Sequence, residues 1–434
     1  MKKLKGNELK IFSIVSIVLL VIAAFISDSP KEIIMGMKKI IVSRDALITD
    51  YFELAGTGAA FMNAAIVSGI CLVLVLVQKI PFTGPTLAAL FINAGYALWG
   101  KNPVNILPVL LGTYVYAKVH RAHFGRYIYM ALFGTCLAPL VTEILYLLPF
   151  EAPLNFVIVI LVGILIGFLL PPLSAHTASM HMGYNLFNVG FSAGILAFVM
   201  VCVFRSFGLE CEPVFIWQEG RNLAIVICLY VYFIAAFVIG YFMKEGNFKR
   251  LLHIFKHSGR AVADYVLMDG PGATLMNMGL VGILTTTYIV LIGGDFSGPV
   301  VGAIWMAFGF ASFGAHIKSY FPVLLGVYLF TFISKYEPTE PGIQLAAIFA
   351  VGISPIAGQF GPFAGILAGM LHSAIVMCTS TMYGGLNLYN NGFSAGWVAV
   401  FLVPPLESFI KHIEDSRHRR GKMATHKKNG KKEV

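Results

Sequence analysis

Two stretches of this chain are near copies of each other: Asn185-Leu186-Phe187-Asn188-Val189-Gly190-Phe191-Ser192-Ala193-Gly194 and Asn387-Leu388-Tyr389-Asn390-Asn391-Gly392-Phe393-Ser394-Ala395-Gly396. Shared hydrophobicity cannot account for them, because the identities fall on Asn, Gly and Ser. Upstream, at the same offset of 202 residues, Thr177 and Met180 match Thr379 and Met382, and Gly163-Ile164-Leu165 matches Gly365-Ile366-Leu367. Fourteen extra residues in the first copy then shift the register, and Pro139 falls on Pro355. Further upstream, the segments beginning at Asp50 and Asp264 align for 67 residues without a gap, with 21 identities. Gly56, Gly58, Met62 and Asn63 fall on Gly270, Gly272, Met276 and Asn277; Phe82, Gly84 and Pro85 fall on Phe296, Gly298 and Pro299. A repeat of this length fixes the architecture before any function is considered: one unit is built twice.

Composition says what the unit is made of. The 434 residues are 58% hydrophobic and 12% charged, with a mean hydropathy of +0.80, whereas a water-soluble domain carries about 25% charged residues. Apolar runs such as Ile11–Ser27, Leu186–Phe204 and Leu223–Met243 have the length, about 20 helical residues, that crosses a hydrocarbon core of about 30 Å. The net charge of +10 is divided into short basic blocks between apolar spans, the positive-inside pattern and not a nucleic-acid surface. The six cysteines are scattered without Cys-x-x-Cys spacing, so no disulfide or metal is assigned to them. Met1–Lys10 and the apolar run behind it are expected to be a retained span, since Ser27-Asp28-Ser29-Pro30 is a poor cleavage site for a secretory signal.

The expected fold is an all-α integral membrane protein. Residues 1–49 hold an N-terminal span and an interfacial segment, 50–205 the first repeat, 206–263 a linking span and a basic loop, 264–410 the second repeat, and 411–434 a basic tail. Each repeat has about six membrane segments, in the first copy near 51–78, 83–100, 103–119, 127–147, 153–172 and 185–205. Several are short and rich in Gly and Pro, and so are candidates for re-entrant segments. With the Lys-rich N-terminus inside, the His120, Arg121 and Arg126 loop, the Lys244–Arg260 block and the tail after Lys411 also fall inside, while Glu210, Glu212, Glu219, Glu337 and Glu340 fall outside. The copies then start on opposite sides, which predicts inverted-topology repeats in a plasma membrane, multi-pass, with both termini cytoplasmic. Lys31, Lys38, Lys39 and Arg44 fall outside against the rule; the helical spacing of Ile33, Ile34, Met37, Ile40 and Ile41 assigns them to an amphipathic helix at the interface.

In transporters built from inverted repeats the site lies between the repeats, where Gly/Pro-interrupted helices free backbone groups. Three paired segments qualify. Gly56, Gly58 and Asn63 pair with Gly270, Gly272 and Asn277; Gly84 and Pro85 pair with Gly298 and Pro299; Thr177, Ser179, Asn185 and Asn188 pair with Thr379, Thr381, Asn387 and Asn390. Their hydroxyls and amides both donate and accept. Against this stands helix packing, since small residues four apart, as at Gly190/Gly194 and Gly392/Gly396, let membrane helices approach closely. Glu143 is the clearest carboxylate within an apolar span and a candidate coupling group, set against a place at the outer headgroups. His176, His181 and His372 have no metal-ligand spacing, so neither metal nor cofactor is expected, and no nucleophile or phosphate-binding motif points to an enzyme.

At the paired Asn-Leu-[Phe/Tyr]-Asn-x-Gly-Phe-Ser-Ala-Gly motifs the chain resembles a bacterial family of polytopic membrane proteins of unknown function, over nearly its whole length. A weaker resemblance is to urea transporters, at Phe61-Met62-Asn63, Leu275-Met276-Asn277 and Gly183-Tyr184-Asn185. It implies a path for small polar solutes, though six segments per copy and an added linking span depart from that family's five. The expected function is transport of a small polar solute or ion between the repeats, by a secondary transporter or channel; the alternative is a non-catalytic membrane subunit of a larger ion-translocating or redox complex. Expected partners are the lipid bilayer and the solute, not nucleic acid, with room for a homo-oligomer.

Overall fold

The computed structural model describes residues 7–45, 47–261 and 263–429. The first half folds as α1 (Asn7–Ser27), α2 (Pro30–Val42), α3 (Tyr51–Ala55), α4 (Thr57–Val77), α5 (Gly84–Tyr96), α6 (Leu107–Val119), α7 (Ile128–Gly134), α8 (Ala138–Leu147), α9 (Leu154–Met180) and α10 (Asn188–Ser206). The second half repeats this order as α11 (Leu223–Phe242), α12 (Phe248–Ile254), α13 (Tyr265–Met268), α14 (Pro271–Ile292), α15 (Gly298–Phe310), α16 (Ile317–Thr331), α17 (Pro341–Phe349), α18 (Ser354–Phe360), α19 (Pro362–Met382) and α20 (Asn390–Asn429). A short parallel strand pair, β1 (Leu47–Thr49) with β2 (Val214–Ile216), joins the two halves at one face.

Ten segments among the described residues are long and apolar enough to cross a membrane, five in each half. α5 and α6 have only 13 residues each, or about 20 Å at 1.5 Å per residue. They fall short of the bilayer core, and every residue of α5 but Pro85 is buried within protein. α1 packs on α4, and α11 packs on α14 in the same way. The linking span is therefore the counterpart of the N-terminal span, and the structural unit has ten helices and begins earlier than the sequence identities do.

Local chemistry explains where the helices begin. Gly56 and Gly270 hold φ of +92° and +94° as they open α4 and α14, a backbone region closed to most side chains. Proline occupies the first turn of α5 and α15, where no intrahelical N–H bond is lost. Helix α2 begins with a capping box from Ser29 and Glu32 and buries Ile33, Gly36 and Ile40, leaving Ile34, Met35 and Ile41 exposed. Arg44, which follows it, pairs with Glu143 and Glu212.

The halves meet along two seams. In the first, α5 lies on α15: Gly95 backs onto the Gly302 carbonyl, and Ala88 onto Gly309. The start of each helix thus meets the end of the other, and the pair is antiparallel. The Asp50 carboxylate accepts from the Gly298 N–H at the start of α15 (3.1 Å), and Asp264 accepts from the Gly84 N–H at the start of α5 (3.0 Å). Each half therefore caps a helix of the other with the same residue. The second seam joins the first turns of α10 and α20, with Gly190 against Tyr389, Gly392 against Phe187, Gly194 against Phe393 and Gly396 against Phe191. Both contacts are isologous, as expected of a two-fold arrangement.

Candidate functional site

The centre of the molecule is the point where the two Asn-rich loops approach each other. Asn185 donates to the Gly392 carbonyl (3.1 Å) and Asn387 to the Gly190 carbonyl (3.4 Å). The Thr177 hydroxyl donates to Asn188 Oδ1 (2.8 Å) and lies 2.7 Å from the Ser192 hydroxyl, and Thr379, Asn390 and Ser394 repeat this trio. Leu186 N–H donates to the Gly352 carbonyl, and Leu388 N–H to the Cys136 carbonyl. Gly352 and Cys136 lie in 3₁₀ turns that interrupt the α17–α18 and α7–α8 spans, so each loop is held at the broken middle of a helix from the other half.

The remaining paired residues fall elsewhere. Asn63 donates to the carbonyls of Ala97 (2.6 Å) and Lys101 (2.7 Å), and Asn277 to those of Ala311 (2.7 Å) and Ala315 (2.9 Å). Both amides brace the turn after α5 or α15. Ser179 and Thr381 bond carbonyls in their own helices, at His176 and Cys378, and are exposed. Gly58 accommodates Asp28, whose carboxylate accepts from its N–H (2.7 Å), and Gly272 lies against Gly240 and Gly246. Glu143 is fully buried but its charge is matched by Arg44.

Sequence reading passed over the groups that distinguish the two halves. Lys101 is buried, its ammonium donating to Asn93 Oδ1 (2.9 Å) and Thr135 Oγ (2.8 Å) and lying 5.0 Å from the centre of the Tyr96 ring. Both hydrogen-bond partners are neutral, and among the described residues no carboxylate forms an ion pair with it. Its trio maps onto Ala315, Ala307 and Val351 in the second copy. The second copy has a buried pair of its own, His372 Nε2 with Asn391 Oδ1 (3.1 Å), where the first has Leu170 and Val189. The signal was present: a lysine in a turn between apolar helices, and mismatches at otherwise matched positions.

A cavity of about 210 Å³ reaches this centre from the face that carries β1 and β2, lined by Trp99, Phe215, Asn387, Leu388, Asn390 and Asn391 among others. Trp99 Nε1 and the hydroxyls of Tyr96 and Tyr389, all buried, have no hydrogen-bond partner among the described residues, and the three rings adjoin, with Tyr96 5.5 Å from Trp99 and 5.2 Å from Tyr389. A larger groove of about 670 Å³ lies between α4, α6, α8 and α9. Its wall includes the exposed side chains of Leu107, Leu111, Phe156 and Ile160, so it opens sideways as a crevice on the apolar surface.

The counterpart loop at the opposite face is covered. Ala261 N–H donates to the Gly183 carbonyl (2.9 Å), and Arg260 donates to the Met182 carbonyl (2.6 Å) and stacks over Tyr184 at 4.7 Å; Leu186 packs on Gly314 as Leu388 packs on Gly100. The family profile described as protein of unknown function (DUF1576) matches residues 29–206 and 243–408. The chain belongs to this family. The matched segments begin near α2 and α12, the corresponding helices of the two halves. No curated protein and no solved structure matches the chain.

Proposed function

We propose that this chain is a secondary transporter for a small polar or anionic solute, built from two inverted repeats that open alternately to the two sides of the membrane. The inversion rests on the caps. Asp50, near the start of α4, touches Gly298, just past the end of α14; Asp264, near the start of α14, touches Gly84, just past the end of α4. Two membrane-long helices with that relation run in opposite directions, and with them their repeats.

The observation that carries the proposal is the unequal state of two equivalent loops. A cavity reaches the Asn387–Asn391 loop, while Met182–Tyr184, the residues that lead into the Asn185–Val189 loop, are covered by Arg260 and Ala261. Two pseudo-symmetric gates, one open and one closed, are what alternating access about a fixed central site requires. Lys101 supplies the charge. A buried ammonium without a carboxylate is costly unless something answers it, and a small anion, or the release of its proton, would do so. One aromatic layer, Tyr96 and Trp99, separates it from the cavity. Glu143, already matched by Arg44, is less suited to coupling.

Purified protein in detergent, screened by thermal stability against organic acids, amino acids, small amides and Na⁺, tests this. A ligand of the native state raises its stability by mass action. A stabilising organic acid whose effect disappears in Lys101→Ala and weakens in Asn391→Val is the expected result. Lys101→Ala is a mild change, since the Thr135 hydroxyl already donates to Asn93 Oδ1 (3.0 Å). No stabilising solute across the panel, or a hit indifferent to both variants, would overturn the proposal.

A further inference from the structure

A second chemical centre lies away from the repeat junction, where α12 meets the start of α14. His253 in the last turn of α12 and His257 just beyond it are four residues apart, and both aim at Asp269, which is buried. His253 Nδ1 lies 2.6 Å from Asp269 Oδ1 and His257 Nε2 lies 2.9 Å from Oδ2. The three ligand atoms fall within 4.8 Å of one another. The histidines set aside on spacing, His176, His181 and His372, are not part of it.

We propose that His253, His257 and Asp269 form a binding site for a divalent transition-metal ion of the zinc type. Two imidazole nitrogens and one carboxylate are a ligand set for such an ion, with a fourth position left for water. A tetrahedral ion with bonds of about 2.0–2.1 Å separates its ligands by about 3.3 Å, so taking up an ion requires the 2.6 Å His253–Asp269 contact to open by roughly 0.7 Å, a rotation that the exposed His253 side chain is free to make. The surroundings hold the ligands. Arg250 donates to the Asp269 carbonyl (3.0 Å), His257 stacks on Tyr265, and the His257 carbonyl lies 3.0 Å from His316 Nε2. The open side is also present, since the His253 side chain is 56% exposed and an ion can enter there. A purely structural carboxylate–imidazole cluster would show the same hydrogen bonds, and metal binding is what separates the two.

The first copy has Ala55 in place of Asp269, and its α2 contains no histidine. The site is therefore not part of the repeated scaffold. A bound ion would pin the basic Lys244–Arg260 segment, whose end covers the closed loop through Arg260 and Ala261, to the glycine-opened start of α14.

The test uses full-length protein purified through a tag without histidine, stripped with chelator and titrated with Zn²⁺ or Co²⁺. Calorimetry, Co²⁺ visible absorption and metal content after gel filtration are the readouts. The expected result is one tightly held equivalent, a Co²⁺ spectrum of nitrogen and oxygen ligation, and at least about 100-fold weaker binding in His253→Ala, beyond what loss of an outer partner causes. His253→Ala is at an exposed position and keeps the fold; His257→Gln gives a second, independent variant. Binding that is absent, or equally strong in both variants and so due to the histidines of the 411–434 tail, would overturn the proposal. Neither result depends on the transported solute.

Discussion

The two halves of this protein use the same residues to hold themselves together and different residues at their buried centres. Asn63 and Asn277 each brace two carbonyls, Asp50 and Asp264 each cap a helix of the other half, and Asn185 and Asn387 exchange bonds across the junction. Lys101, Asn93 and Thr135 have apolar counterparts, and so do His372 and Asn391. Identity between copies marks the scaffold, and difference between copies marks where function is to be sought. A paired amide that looks like a pathway group in sequence is, in four of these cases, a backbone clamp.

The strongest way to break that comparison is at the first seam. A Cβ on Gly95 would lie 2.2 Å from the Gly302 carbonyl oxygen, and a Cβ on Gly302 would lie 2.2 Å from that of Gly95. Backbone meets backbone there and no side chain can yield. Gly95→Val and Gly302→Val are each expected to abolish recovery of monodisperse protein, whereas Gly69→Ala, with open space around it, behaves as the parent. Size-exclusion profiles after detergent extraction decide it; a well-folded Gly95→Val would show that the seam is not closely packed.

Next in size are the clamps. Asn63→Ala and Asn277→Ala each strip two buried carbonyls of their donor, and an unmatched buried polar group costs about 1–3 kcal/mol. Equal losses of thermal stability are expected from the two variants. A much larger loss from Asn63→Ala would mean that the Lys101 turn depends on its brace more than the Ala315 turn does, and would sharpen the contrast between the halves. The caps come third: Asp50→Ala and Asp264→Ala are each expected to cost about 1–2 kcal/mol, read in the same melts.

Much of the fold was legible because duplication leaves a trace in Gly, Pro and Asn that composition cannot mimic. Gly56 and Gly270 do open helices, and Pro85 and Pro299 do stand in first turns. The counterpart relation of α1 and α11 was not legible, since lipid-facing helices conserve apolar character without conserving residues. Pairing was harder still. Nothing in the spacing of Arg44, Glu143 and Glu212 says that they meet, and that meeting turns a candidate coupling carboxylate into an ion-pair partner. Lys101 was overlooked for the opposite reason: attention to what the copies share passes over what only one of them has.

The smallest expected effect sharpens the comparison from the side of charge. Asp45, in the segment between α2 and β1, is buried beneath the Tyr51 hydroxyl (2.8 Å), the Asn105 amide (3.2 Å) and the Thr142 hydroxyl (3.2 Å), with Gly259 as its counterpart in the other half. Burial raises its carboxyl from 3.8 to about 7, against the lowering effect of those three donors. Between these values the folded chain holds a proton that the unfolded chain has released, so stability falls as pH rises through the window and the full cost is present above about 7. Asp45→Asn carries no such charge. Its melting temperature relative to the parent is expected to increase by a few degrees from pH 5 to pH 8, since only the parent titrates; the hydrogen bonds that Asn keeps or loses set an offset that does not change with pH. Parallel melting profiles across that range would show that Asp45 is already ionised in the folded protein, held by its three donors despite burial, and the first half would then hold a fixed negative charge where the second has Gly259.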